Sequence, residues 1–206
     1  MLKKLLTLVL TVVLAVSLTT TAHAVRMPSD VSGHWIEGTI RDLLANPLAQ
    51  FMLGGGQYDY LLERFHPDRA VTRVEFCGVM NAINRFNQEA DITFTDANTP
   101  EVARILRIAA QAGYFQGVGG GRANPHGQLT RAEAATMIQR IYNHPAAPGE
   151  SRRFTDRGDI PSWAADAVDA LVKAGVFRGD DQNRFSPNAV LTRAEILALV
   201  NNLVFN

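Results

Sequence analysis

Apolar residues recur at helical spacing in three pairs of short stretches along the chain. In the last pair, Trp163, Ala167, Val168, Leu171 and Val172 fall on one face, and Gly175 follows where a helix would end in a left-handed residue. A turn-rich segment from Gly175 to Pro187 carries Gly179-Asp180-Asp181, and a second stripe runs from Thr192 through Ile196, Leu199, Val200 and Leu203. The middle pair repeats this with Val102, Ile105, Leu106 and Ala109, then Gly113, then Ala134, Met137, Ile138 and Ile141. The first pair has Trp35, Ile40, Leu43 and Leu44, then Phe76, Val79, Met80 and Ile83. Each pair therefore predicts helix, loop, helix. Ahead of them, Leu5 to Leu18 is apolar apart from Thr7, Thr11 and Ser17, with Lys3 and Lys4 before it and Ala22-His23-Ala24 after it. That run is too short for a comfortable membrane span and matches an export signal over residues 1–24. The mature chain is expected to be soluble.

The pairs are copies of one unit. Thr-Arg-x-Glu occurs at Thr72-Arg73-Val74-Glu75, Thr130-Arg131-Ala132-Glu133 and Thr192-Arg193-Ala194-Glu195, 58 and 62 residues apart. A proline stands five positions before each threonine, at Pro67, Pro125 and Pro187. The units open alike, with Asp30-Val31, Phe94-Thr95-Asp96 and Phe154-Thr155-Asp156. Recurrence at this period marks a repeat architecture, here over residues 28–90, 91–148 and 149–206. Linkers fall near 87–92 and 144–153, and the first unit has extra residues around Asn46 to Tyr60.

Threonine followed three residues later by glutamate, ahead of an apolar helix, is a capping box. The hydroxyl accepts the third amide of the helix, and the carboxylate accepts the amide of the threonine. Thr72, Thr130 and Thr192 with Glu75, Glu133 and Glu195 are accounted for in this way. Val71, Leu129 and Leu191 precede the threonines, ready to staple against Phe76, Ala134 and Ile196. The arginine is not explained by capping, because a cation in the first turn opposes the helix dipole. Two causes stand open: pairing with an acid of a neighbouring unit, or joining the helix N–H groups in binding an external anion.

Composition narrows the chemistry. Twenty basic residues balance 20 acidic ones, which argues against nucleic-acid binding driven by bulk charge. Removing residues 1–24 removes two lysines and no acids, so the mature chain is slightly acidic. The lone Cys77 forms no internal disulfide and reads as a buried thiol. Gly117 to Gly121 lacks the Gly-Lys-Ser/Thr ending of a phosphate loop, and Asp180 to Asn183 lacks the glycine and glutamate of a calcium loop. The histidines have no metal-ligand spacing, and no catalytic motif is present. Neither a cofactor, a metal nor enzymatic activity is expected.

The Asp openings, His34-Trp35 and Ser162-Trp163, and Phe-x-Pro followed by Thr-Arg-x-Glu resemble S-layer homology domains, in three tandem copies after the signal. The resemblance implies an all-α, pseudo-threefold domain with one helix of each unit in a central three-helix bundle and grooves between adjacent units. It also implies non-covalent binding to a cell-wall polysaccharide, often a pyruvylated secondary polymer, by a secreted protein of the cell wall or surface layer. On that basis Arg73, Arg131 and Arg193 would contact or frame the anion. Trp35 and Trp163 would offer surface to a sugar ring, and Gly179 and Asp180 would admit its backbone approach. The middle unit departs from the pattern in having no tryptophan and no acid in its glycine loop. An envelope structural or protein-interaction module without a glycan is the alternative, in which the arginines only join units.

Overall fold

The computed structural model describes residues 27–45 and 64–204. The export signal expected over residues 1–24 and the extra residues of the first unit, Asn46 to Tyr60, lie outside the described residues. Among the described residues six α-helices follow in order: α1 (Glu37–Ala45), α2 (Arg73–Ile83), α3 (Pro100–Gln111), α4 (Arg131–Tyr142), α5 (Ser162–Lys173) and α6 (Arg193–Val204). Among the described residues there is no strand, only isolated bridges, so the fold is all-α. The second linker contains a short 3-10 turn, Glu150–Arg153, held by the buried Asp169 carboxylate, which accepts the Gly149 and Ser151 amides at 2.7 Å each.

The helices pair across units. Each capped helix packs chiefly against the opening helix of the following unit: α2 against α3, α4 against α5, and α6 back against α1. The large buried side chains Phe76, Tyr114, Ile138, Phe177 and Phe185 belong to one continuous core drawn from all three units. A second cluster joins Ile36, Ile40 and Phe65 to Ala194 and Leu197, sealing the first unit to the third.

The three capped helices begin around a closed ring. The Val71 amide donates to the Leu191 carbonyl (2.9 Å), Leu191 to Leu129 (2.9 Å) and Leu129 to Val71 (3.0 Å). Antiparallel bridges Ala70–Thr192, Thr72–Gln128 and Thr130–Val190 extend the same cycle. All three apolar residues are buried, so one set of side chains plugs the axis while its backbone joins the units.

Candidate functional site

Around this ring the recurring residues find partners. Glu75 accepts the Thr72 amide at 2.8 Å, Glu133 that of Thr130 at 2.9 Å and Glu195 that of Thr192 at 2.9 Å. Each threonine hydroxyl in turn accepts the glutamate amide at 3.3–3.4 Å. The next two amides of each helix are bonded across units. Arg73 and Val74 donate to the Gly127 and Pro125 carbonyls, Arg131 and Ala132 to Ala189 and Pro187, and Arg193 and Ala194 to Arg69 and Pro67. Every donor of the first turn is therefore engaged within the chain, and these amides are not available to an external anion.

The guanidinium groups follow the same path. Arg73 is buried, donates from Nε to the Ala123 carbonyl (3.1 Å) and from Nη1 to Glu133 Oε1 (2.6 Å), and lies over the Phe115 ring. Arg131 donates to the carbonyls of Phe185 (2.8 Å) and Arg178 (3.0 Å), stacks on Phe177 and Phe185, and approaches Glu195 to 3.6 Å. Burial works against its charge, and Glu195, Asp156 and Asp180 offset part of that cost. Arg193 donates to the Phe65 carbonyl (2.7 Å) and lies over the Phe65 ring. Of the two causes left open by the sequence, pairing across units is the one realised at Arg73 and Arg131.

Sequence reasoning assigned no role to the opening aspartates. Asp30 accepts the amides of Phe65 and His66, Asp96 those of Ala123 and Asn124, and Asp156 those of Phe185 and Ser186, all at 2.7–2.8 Å. Each clamp fixes the residue before the proline in the left-handed region, at φ 54° for His66, 51° for Asn124 and 56° for Ser186. The clamp thereby aims the carbonyls that receive the arginine and the helix amides. The Ala123 amide in the first place holds the Asp96 carboxyl below its ordinary range. Their recurrence at the opening of every unit was the available signal.

The predicted ligand residues fall into separate places. Arg73 and Trp163 share a cleft of about 190 Å³ with Glu133, Phe115, Gly117 and Arg140. Trp163, 58% exposed, lines it as well. Gly179 and Asp180 belong to the loop beside Arg131. A side chain at Gly179 would meet the Phe154 ring at 2.7 Å, so the loop packs closely there. Asp180 accepts the Arg184 amide and Nε at 2.8 Å each, which organises its own turn and lowers its carboxyl pKa. Trp35 is 61% exposed and tilts against the His34 ring, outside the Arg73 cleft. Two larger hollows, one between α2 and α3 and one beside the 144–150 linker, contain none of the predicted ligand residues. No cluster among the described residues could hold a metal, and no described helix is long and apolar enough to cross a membrane.

Residues 93–135 and 153–197 match the family model of the S-layer homology domain. These segments cover most of the second and third units. Among curated proteins, the chain is similar to exoglucanase XynX of Acetivibrio thermocellus, 25% identical over 182 residues, which cover 85% of this chain and 16% of that protein. The cellulosome-anchoring protein of the same organism is 30% identical over 148 residues, 66% of this chain and 32% of its own length. S-layer protein EA1 of Bacillus anthracis is 25% identical over 170 residues, 82% and 19% respectively. The chain spans less than a third of each of these relatives.

Proposed function

We propose that this chain is an exported S-layer homology protein that attaches non-covalently to a cell-wall polysaccharide and so anchors or coats the cell surface. On this reading residues 1–24 are the cleaved signal, and residues 28–90 are a third copy of the domain. The first unit supports that assignment by repeating the same aspartate clamp, capping box and ring bonds. The ligand is an acidic, pyruvylated wall polymer, and the chain acts as a binding module, not an enzyme. The observation that carries this reading is the Arg73–Trp163 cleft, which is lined by residues of all three units and has an exposed tryptophan and two arginines in its lining. Aromatic surface beside a cation suits a sugar that bears a carboxylate. Relatives named as anchoring and surface-layer proteins point the same way. In this role Arg73, Arg131 and Arg193 frame the grooves, Trp35 and Trp163 offer ring surface, and the Gly179-Asp180 loop forms a wall.

The test is sedimentation of the mature protein with sacculi stripped of protein, before and after removal of pyruvyl groups. Binding that depends on those groups and weakens with salt is expected. A second reading, an envelope protein-interaction module without a glycan, has one observation in its favour: Arg73 and Arg131 are engaged between units. Sedimentation only with envelopes that retain their proteins would establish it.

A further inference from the structure

The Arg73 cleft holds a second cation outside the repeated motif. Arg140 lies in the last turn of α4 and shares a helical face with Glu133, Thr136 and Met137, all of which line the cleft. The corresponding positions of the other two capped helices are Ala82 and Asn202, so this arginine belongs to the middle helix alone. Its one hydrogen bond runs from Nη1 to the Tyr114 carbonyl at 3.3 Å, which steadies the side chain and leaves its other donors open. Arg73 and Glu133 neutralise each other across 2.6 Å, so the unbalanced charge of the lining is that of Arg140. Gln116 and Trp163 line the same cleft, and no hydrogen bond of the Gln116 side-chain amide or the Trp163 indole N–H is found among the described residues. A volume of about 190 Å³ holds about six waters, room for an acidic substituent and one edge of a sugar ring.

We propose that Arg140 reads the acid of the bound sugar, with Gln116 and Trp163 holding the ring beside it, while Arg73 is a strut that shapes the cleft. This rests on the glycan-binding reading above. The chain has two tryptophans, so in a Trp35→Phe background the emission of Trp163 reports this cleft alone. Two probes are titrated against that background: a methyl hexopyranoside carrying a pyruvate ketal, and its ketal-free parent. Arg140→Gln should weaken binding of the ketal-bearing sugar at least about tenfold, the effect of one charge-assisted hydrogen bond. Binding of the ketal-free sugar should change less than twofold, and the melting temperature should hold. Equal binding of the ketal-bearing sugar by both proteins overturns the assignment, as does an equal loss for both sugars or a lowered melting temperature. In those cases wild-type sedimentation with sacculi still supports the broader reading. If the wild type binds neither probe nor sacculi, both readings fall.

Discussion

Replacing Arg73 with alanine should destabilise the whole domain. The side chain is only 7% exposed, bonds Glu133 at 2.6 Å and the Ala123 carbonyl at 3.1 Å, and covers the Phe115 ring. Removing one partner of a buried ion pair costs about 3–5 kcal/mol. Glu133 keeps 30% of its side chain exposed, so water recovers part of that cost. Loss of the stacking contact adds about 0.5–1 kcal/mol, and relief of the helix dipole returns a few tenths. The balance is a loss of about 2–4 kcal/mol, which in a domain of this size lowers the melting temperature by about 5–12 °C. Urea denaturation should show a lower midpoint with an unchanged slope. Arg73→Lys retains the charge without the planar fork and should fall between. Melting of Arg73→Ala within about 1 °C of the parent would refute the strut assignment, because the guanidinium would then contribute nothing net to the ring.

Two other perturbations test the surrounding geometry. Gly117 has φ +72°, and a Cβ there would lie 2.5 Å from the Arg122 carbonyl oxygen; Gly117→Ala should cost about 1–3 kcal/mol by thermal melting, and a neutral result would mean the loop is looser than described. The Asp96 carboxyl is held below its ordinary range, first by the Ala123 amide; desolvation opposes this, and the Asn124 amide and Arg122 add to the lowering. A carboxyl with a depressed folded pKa contributes stability that is complete above its unfolded value, about 3.9, and is lost as pH falls through the folded value. Melting temperature should therefore drop below about pH 4, and Asp96→Asn should flatten that dependence. An unchanged acid profile in the variant would remove Asp96 from the account.

The parts of this structure legible in the sequence are those whose chemistry is local. Thr130 and Glu133 meet three residues apart, and the apolar stripes of α4 and α5 need only their own periodicity. Which helices would pair was not legible. The two helices of a unit look like partners along the chain, yet α4 packs on α5 of the next unit. The partner of Arg73 was undetermined for the same reason, since Glu133 lies 60 residues away and already has a local task. The structure shows one carboxylate doing both: Oε2 accepts the Thr130 amide while Oε1 receives Arg73. The opening aspartates stood out only as repeats, because their acceptor role needs amides some 27–36 residues downstream. Arg140 was not legible either, because it occurs in one helix and has no counterpart in the other two.

Ring closure explains why the three units fold together. In an open row of units, the last capped helix would keep two unpaired first-turn amides, and the first unit would keep the unused carbonyls meant to receive them. Here the amides of Arg193 and Ala194 reach Arg69 and Pro67, and the Val71 amide reaches Leu191, so the third unit closes on the first. A single unit of this length buries too little apolar surface to persist alone, and among the described residues its helices pack chiefly on those of its neighbours. The same closure constrains function. Thr-Arg-x-Glu, the aspartate clamp and the proline carbonyl hold the ring, so changing any of them to suit a new ligand puts the fold at risk. Arg140, Gln116 and Trp163 border the Arg73 cleft without belonging to that machinery. If the grooves bind glycan as proposed, ligand preference can vary from one groove to the next at such positions, while the repeated residues stay fixed by the demands of closure.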